Sequence, residues 1–244
     1  MINKLKVPTK TIRIPKIAMF LVFGVLIIAI ISFGLDALSP EQPKKAVLED
    51  IQIIQFDKPA QGQDILIIDT TAGTMKAVLY SEQCPNTAAL IKQAVADGAY
   101  KDLPVSQIEK DILFICNSRN KEGTTIVNEY HKDLWPFRGS ICTISGQDGY
   151  SSESLVFLDT IEYTDEMKAT FEDSANLQVV GDAFLEHGGV PNFSQQYTVI
   201  AQIYDGLDVL DAITAAQYDE ATGVPTEEIL IKDITVSTYS SEDN

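Results

Sequence analysis

The chain is poor in the residues from which most metal and nucleophilic sites are built. Its 244 residues include two histidines, one tryptophan and three cysteines, and the cysteines lack zinc-like spacing. His131 lies in a polar stretch and His187 precedes two glycines, and neither has partners at metal-ligand spacing. We find no internal repeat and no low-complexity tract, and we expect no metal and no cofactor.

Each cysteine occupies a position that is typical of a structural residue. Cys116 and Cys142 lie in apolar runs, where a thiol most often packs as a small hydrophobic group. Cys84 precedes Pro85 at a predicted helix start, a setting that can lower a thiol pKa. The sequence leaves open whether any two of the three form a disulfide.

Positive charge is scarce after the first 35 residues. Residues 1–35 hold five basic residues and no acidic one, whereas the remainder holds 13 basic against 35 acidic residues, a net charge of −22. Such a surface repels a phosphate backbone, which excludes nucleic-acid binding as the main task.

One long stretch, residues 17–35, contains no charge. At about 1.5 Å per residue, a helix of this length nearly matches a hydrocarbon core of about 30 Å. The stretch is longer than the apolar core of a signal peptide, about 7–15 residues. We therefore predict an uncleaved signal anchor. The basic residues 1–16 favour a cytoplasmic N-terminus, so we expect a single-pass cell-membrane protein with an extracytoplasmic domain.

Short strands and a few helices are predicted between a linker, residues 36–50, and a frayed tail, residues 241–244. Helices are predicted to begin at Pro85, at Ser174 and after Gly206. Periodicity and turn residues predict strands within 51–56, 65–69, 75–79, 105–118, 138–158, 197–203 and 229–236. We expect residues 51–240 to form a mainly β domain with some α structure, a closed antiparallel barrel capped by helices.

Four passages, in this order, resemble bacterial cyclophilins, which are peptidyl-prolyl cis-trans isomerases. The first is similar to the family's first helix. The others are similar to the segment that leads to its Met-Ile-Gln-Gly-Gly strand, the approach to its Met-Ala-Asn strand, and its final groove wall, strand and helix. The passages are CPNTAALIKQAVADGAY (84–100), LPVSQIEKDILFICNS (103–118), EYHKDLWPFRGSICTIS (129–145) and EHGGVPNFSQQYTVIAQIYDGLDVLDAI (186–213).

The resemblance implies a peptide groove and also shows where this chain departs from the family. Gln107 stands at the position of the catalytic arginine, and Ile115 stands at that of the glutamine that holds the peptide backbone. Ile112 and Phe157 are equally compatible with plain core positions. The other groove positions that the resemblance implies are Leu113, Ser145, Asn192, Phe193 and Tyr197.

Rotation of an X-Pro bond needs an apolar pocket and preorganised hydrogen-bond donors, but no nucleophile or metal. Gln107 offers only neutral donors, whose hydrogen bonds are about half as strong as charge-assisted ones. We therefore expect a membrane-tethered, extracytoplasmic cyclophilin-like protein with weak or lost turnover, whose partners are proline-containing segments or an envelope protein. Two alternatives are a non-catalytic peptide- or protein-binding module and a structural envelope component.

Overall fold

The computed structural model describes residues 48–119, 125–145, 149–173 and 177–241, which form a mainly β half-barrel with a few helices. The strands are β1 (Asp64–Thr70), β2 (Thr74–Leu79), β3 (Leu103–Pro104), β4 (Gln107–Glu109), β5 (Leu113–Cys116), β6 (Ile126–Val127), β7 (Ser140–Ser145), β8 (Tyr150–Leu158), β9 (Val199–Asp205) and β10 (Leu230–Thr238). The helices are α1 (Pro85–Ala96), α2 (Asp165–Asp173), α3 (Gln178–His187) and α4 (Leu207–Thr214), with a 3-10 turn at Pro191–Phe193.

The described strands form one antiparallel sheet in the order β3-β10-β1-β2-β9-β7-β8-β5-β4, with β6 paired to β8. Its two terminal strands, β3 and β4, are consecutive in the chain. Between them, Val105 N–H donates to Ile229 O beside β10 (2.9 Å), and Ser106 N–H donates to Ile115 O in β5 (2.7 Å). Adjacent residues therefore connect the two edges of the sheet.

The strands predicted at 65–69 and 75–79 are confirmed as β1 and β2, which form an antiparallel hairpin. Thr70 N–H donates to Gly73 O at 2.8 Å, and the Thr70 hydroxyl accepts bonds from the Ala72 and Gly73 N–H groups at 3.0 Å each. The predicted helices after Pro85 and Gly206 are also present, as α1 and α4.

Helix α1 is capped by a residue that lies far away in sequence. Cys84, at its N-cap position, makes no side-chain capping bond. Instead, the Glu129 carboxylate accepts bonds from the N–H of Asn86 (3.3 Å) and Thr87 (2.7 Å), and from the Thr87 hydroxyl (2.8 Å). These N–H groups belong to the first turn, which has no intrahelical partners and favours negative charge. The loop before β7 is thereby fixed to α1.

The predicted edge strand at 51–56 is wrong. In the structure this segment is a strap that has no strand partner among the described residues, because its residues pack against side chains rather than along a sheet edge. Ile51 and Ile53 contact a second hydrophobic cluster, and Leu48 does the same, so part of the predicted linker belongs to the packed region. The buried residues of this cluster are Trp135, Phe137, Val180, Ala183 and Phe184.

Gln55 fastens the strap to the sheet. Its side chain is buried, and its Oε1 accepts a bond from Trp135 N–H at 2.6 Å. Its Nε2 lies 2.8 Å from Trp135 O, 3.0 Å from Ser140 Oγ and 2.9 Å from Gln202 Oε1. A buried network of this kind specifies one arrangement because each unmade bond is costly.

Two helices follow β8, where one was predicted. Helix α3 corresponds to the helix predicted to begin at Ser174: Leu177 lies at its N-cap, Val180 and Phe184 are buried along it, and Gly188 (φ +79°) lies at its C-cap. Helix α2 was missed, because only Met167 and Phe171 mark an apolar side in a largely exposed sequence. The predicted N-cap Ser174 lies outside the described residues.

The predicted basic segment 1–16, anchor 17–35 and most of the linker 36–50 lie outside the described residues. Among the described helices, none combines the length and the apolar character that crossing a bilayer requires. At the other end, Ser241 N–H donates to Gln61 Oε1 at 3.0 Å, and residues 242–244 of the predicted tail are outside the described part of the chain.

We expect the substitution Glu129→Ala to lower the free energy of unfolding by about 1–2 kcal/mol, the usual range for a lost helix N-cap. Glu129→Gln should lower it less, since one acceptor oxygen is kept. Urea unfolding followed by circular dichroism measures the change, and the exposed Glu162→Ala is the control. Equal stability of the Ala variant and wild type would show that the cap does not contribute.

We expect Gln55→Ala to lower the free energy of unfolding by about 2–4 kcal/mol, since it leaves several buried partners with one bond fewer. The exposed neighbour Gln52 gives a matched control, Gln52→Ala, which should change stability by less than about 0.5 kcal/mol. The single tryptophan lies in this network, so its fluorescence reports unfolding directly. Similar stabilities of the two variants would show that the hydrogen bonds of Gln55 do not stabilise the fold.

Candidate functional site

Strands β4 and β5 separate a core face from a groove face. Gln107 pairs with Ile115, and Ile108 pairs with Phe114. Ile108 and Phe114 are fully buried, whereas Gln107 is exposed and Ile115 is half-buried. Because side chains alternate along a strand, Leu113 lies on the same face as Ile115. The structure therefore brings three of the predicted site residues together.

The register of β8 corrects the prediction for Phe157. Phe157 pairs with Phe114, is fully buried and stacks on the Phe114 ring with centroids 4.3 Å apart. It is a core residue, which was the open alternative. Ile115 instead pairs with Val156, and Leu113 pairs with Leu158. A shift of one residue moves a side chain to the other face of a sheet, and the sequence alone did not decide that shift.

The groove face comprises Gln107, Leu113, Ile115, Val156 and Leu158. The exposed fractions of Leu113, Val156 and Leu158 are only 6%, 3% and 0%. The face is thus covered over much of its area and reaches solvent at Gln107 and Ile115. Val156 and Leu158 are strand partners of Ile115 and Leu113 that sequence reasoning did not name, and both belong to the main hydrophobic core.

Ile112 lies in the turn that joins β4 to β5. It is half-buried and packs against the main core. Its carbonyl accepts a bond from Asp159 N–H at 2.7 Å, and its N–H donates to Glu109 O at 3.0 Å. These two bonds hold the turn against the end of β8.

A second patch contains Asn192, Phe193 and Tyr197. The rings of Phe193 and Tyr197 are 4.5 Å apart, and both residues are half-buried, whereas Asn192 is exposed. Thr198 O accepts a bond from Thr143 N–H at 3.0 Å, so the patch adjoins β7. The last residue of β7, Ser145, pairs through its backbone with Ser151. The predicted residues thus lie on, or directly beside, the neighbouring strands β9, β7, β8, β5 and β4.

A buried hydroxyl cluster supports this end of the sheet. Ser151 Oγ donates to Asn128 Oδ1 at 2.6 Å and lies 3.1 Å from Thr198 Oγ1, and Thr143 Oγ1 donates to Ser151 Oγ at 2.8 Å. All four residues are buried. The cluster ties the loop at Asn128 to the segment that carries Tyr197. In the sequence, this cluster is indicated only by hydroxyl residues such as Thr143 and Ser151 within the strand segments.

The chain has three arginines, and both of the described ones are engaged elsewhere. Arg119 donates to Asp102 O. Arg138 donates from Nε to Asp159 Oδ1 at 3.0 Å and from Nη2 to Asp211. Partial burial acts to lower the pKa of Arg138, but hydrogen bonds to the two carboxylates raise it overall. Neither guanidinium replaces the charge that Gln107 lacks.

A tight turn borders Gln107. Gly223 O accepts a bond from Ile108 N–H at 2.7 Å, and Gly223 has a φ of +77°. A Cβ at this position would lie 2.6 Å from Gln107 Cγ. Only glycine combines this conformation with so close an approach. The turn therefore packs directly against the side chain of Gln107.

The three cysteines are free and buried. Burial raises the pKa of Cys84, Cys116 and Cys142 above the usual value for a thiol. For Cys84, the increase in pKa caused by burial is larger than any decrease caused by its position at the start of a helix. Within the described ranges, no group of three or more His, Cys, Asp or Glu residues could hold a metal ion.

Comparison with known proteins shows the family of the chain. Residues 65–236 match the family model of the cyclophilin type peptidyl-prolyl cis-trans isomerase. The mouse protein named peptidyl-prolyl cis-trans isomerase-like 3 is 23% identical over 177 residues, which cover 69% of this chain and 93% of that protein. The human protein of the same name is 36% identical over 53 residues, covering 22% of this chain and 33% of its own length.

A solved structure shows the same fold. The crystal structure of a cyclophilin type peptidyl-prolyl cis-trans isomerase from Cryptosporidium parvum, determined in the presence of the dipeptide Ala-Pro, has a TM-score of 0.54 and 18% identity. It covers 72% of this chain and 99% of its own. The chain belongs to the cyclophilin-type peptidyl-prolyl isomerase family.

We expect none of the three thiols to react with a thiol reagent at mildly alkaline pH while the chain is folded, because the thiolate is the reactive form and burial disfavours it. After unfolding in guanidinium without reductant, three thiols should react. A colorimetric thiol titration measures both numbers. One thiol that reacts at once in the folded chain, or fewer than three after unfolding, would contradict this assignment.

Proposed function

We propose that this chain is a membrane-tethered, extracytoplasmic cyclophilin-like protein that binds proline-containing segments, or an envelope protein partner, with weak or no isomerase turnover. The family membership supports the peptide-binding class. The uncharged residues 17–35 behind a basic N-terminus support the tether. The single observation that carries the weak turnover is the neutral amide of Gln107 opposite Ile115, with both described arginines bound elsewhere.

The physical argument rests on preorganised charge. An isomerase lowers a barrier of about 18–20 kcal/mol by favouring the twisted amide. Removing one preorganised donor from an enzyme site costs about 10²–10³ in rate. A neutral donor retains part of this effect, but Ile115 adds no donor of its own. Ile115, the half-buried apolar residue of the groove face, can still contact a prolyl ring.

A second candidate is a structural role, in which the groove is filled by the protein's own side chains. The near-complete burial of Leu113, Val156 and Leu158 favours it. In that case the groove face is an extension of the core and takes no ligand. Peptide binding distinguishes the two candidates, since only the first requires it.

We expect the wild-type chain to isomerise a standard proline peptide about 10²–10³ times more slowly than a typical cyclophilin, as measured by a coupled protease assay of kcat/KM. Gln107→Arg should raise the rate about 10–100-fold, because it returns a charged donor to the groove edge. Gln52→Arg makes the same charge change outside the groove and should have no effect.

Turnover comparable with that of a typical cyclophilin would refute the weak activity. If wild type and Gln107→Arg bind the peptide but are equally inactive, the missing charge is not what limits turnover. If neither binds any proline peptide, the structural candidate replaces the first.

A further inference from the structure

The groove edge at Gln107 is bordered by two segments that follow α4. The first is the turn at residues 219–223, held by the bond from Ile108 N–H to Gly223 O (2.7 Å). The second is residues 227–229, held by the bond from Val105 N–H to Ile229 O (2.9 Å). Both bonds are made by residues within two positions of Gln107, so these segments lie along the groove edge.

Carboxylates dominate this edge. Across residues 105–115 and 217–229, Lys110 is the only basic residue, against six acidic residues. Four of the six are exposed on the two bordering segments, and none of the six forms an ion pair with a described residue. We call these six residues the acidic rim: Glu109, Asp111, Asp219, Glu220, Glu227 and Glu228.

Local bonds keep part of the rim ionised and fixed. Asp219 Oδ1 accepts bonds from Ala221 N–H at 2.8 Å and Thr222 N–H at 3.0 Å. The bonds from Thr222, followed by that from Ala221, lower the pKa of Asp219. Val224, directly after this turn, has an exposed fraction of 48%. An exposed apolar side chain therefore lies beside the rim.

The rim reverses the charge expected beside a cyclophilin groove. The resemblance implies a fixed cation at the position of Gln107, whereas this chain has a neutral amide surrounded by negative charge. A field of one sign at the edge of an apolar cleft attracts ligands of the opposite charge and repels those of like charge.

We propose that the groove selects extended peptide segments that carry lysine or arginine beside the proline or apolar residue. The apolar part contacts the accessible side chains of Ile115 and Val224, and the cations pair with the acidic rim. This inference rests on the proposed peptide binding and adds the charge of the partner.

Three fluorescent proline peptides of equal length test it by anisotropy with the full-length chain in a neutral detergent: one uncharged, one flanked by lysines and one flanked by glutamates. We expect the lysine peptide to bind about 5–20-fold more tightly than the glutamate peptide at low salt, given the range for surface charge pairs. The difference should shrink to about twofold at 1 M salt, where the Debye length is about 3 Å.

Two matched double variants locate the effect. Glu220→Gln/Glu228→Gln removes two rim charges and should reduce the preference for the lysine peptide about 2–5-fold. Glu82→Gln/Glu186→Gln changes the net charge equally outside the rim and should leave the preference unchanged.

The outcomes separate this inference from the function on which it rests. Equal binding of all three peptides overturns the charge selection and leaves peptide binding intact. Equal loss of preference in both double variants assigns it to the overall charge and also overturns the role of the rim. Failure of every peptide to bind overturns the proposed function together with this inference.

Discussion

The pairing of Ile115 with Gln107 on one side and Val156 on the other is the constraint on which the site depends. It places Phe114 and Phe157 in the core as a stacked pair and leaves their neighbours on the groove face. Because the side-chain period of a strand is two, no residue can change face without a shift of the whole strand. The core and the groove are therefore specified by one register.

The positions of the charged residues determine the electrostatic environment of Gln107. The described guanidiniums serve the scaffold, since Arg138 joins Asp159 to Asp211 and Arg119 binds a backbone carbonyl. What remains at the groove edge is the amide of Gln107 and a surplus of carboxylates. This distribution lacks the fixed positive charge that favours a twisted amide.

Much of the fold could be predicted from the sequence, because the hairpin at Gly73, the helix after Pro85 and the helix after Gly206 follow from local turn and capping residues. The strap could not, since Ile51 and Ile53 alternate like a strand but pack against helices that are distant in sequence. Glu129, which accepts the N–H groups of the first turn of α1, could not be predicted either, because it lies more than 40 residues away in sequence. The family resemblance named Gln107 and Ile115, which the structure places side by side as strand partners. For Phe157 the sequence left a groove position and a core position open, because an apolar run does not specify register, and the structure places it in the core.

Exchange NMR of a proline peptide in the presence of the full-length chain, with its isoleucine, leucine and valine methyl groups labelled, tests the central claim most directly. We predict that the peptide shifts the methyl signals of Ile115 and Val156 while its cis and trans forms interconvert at the uncatalysed rate, over tens to hundreds of seconds. Rapid cis-trans exchange peaks, or binding that leaves those two methyl signals unchanged, would contradict it.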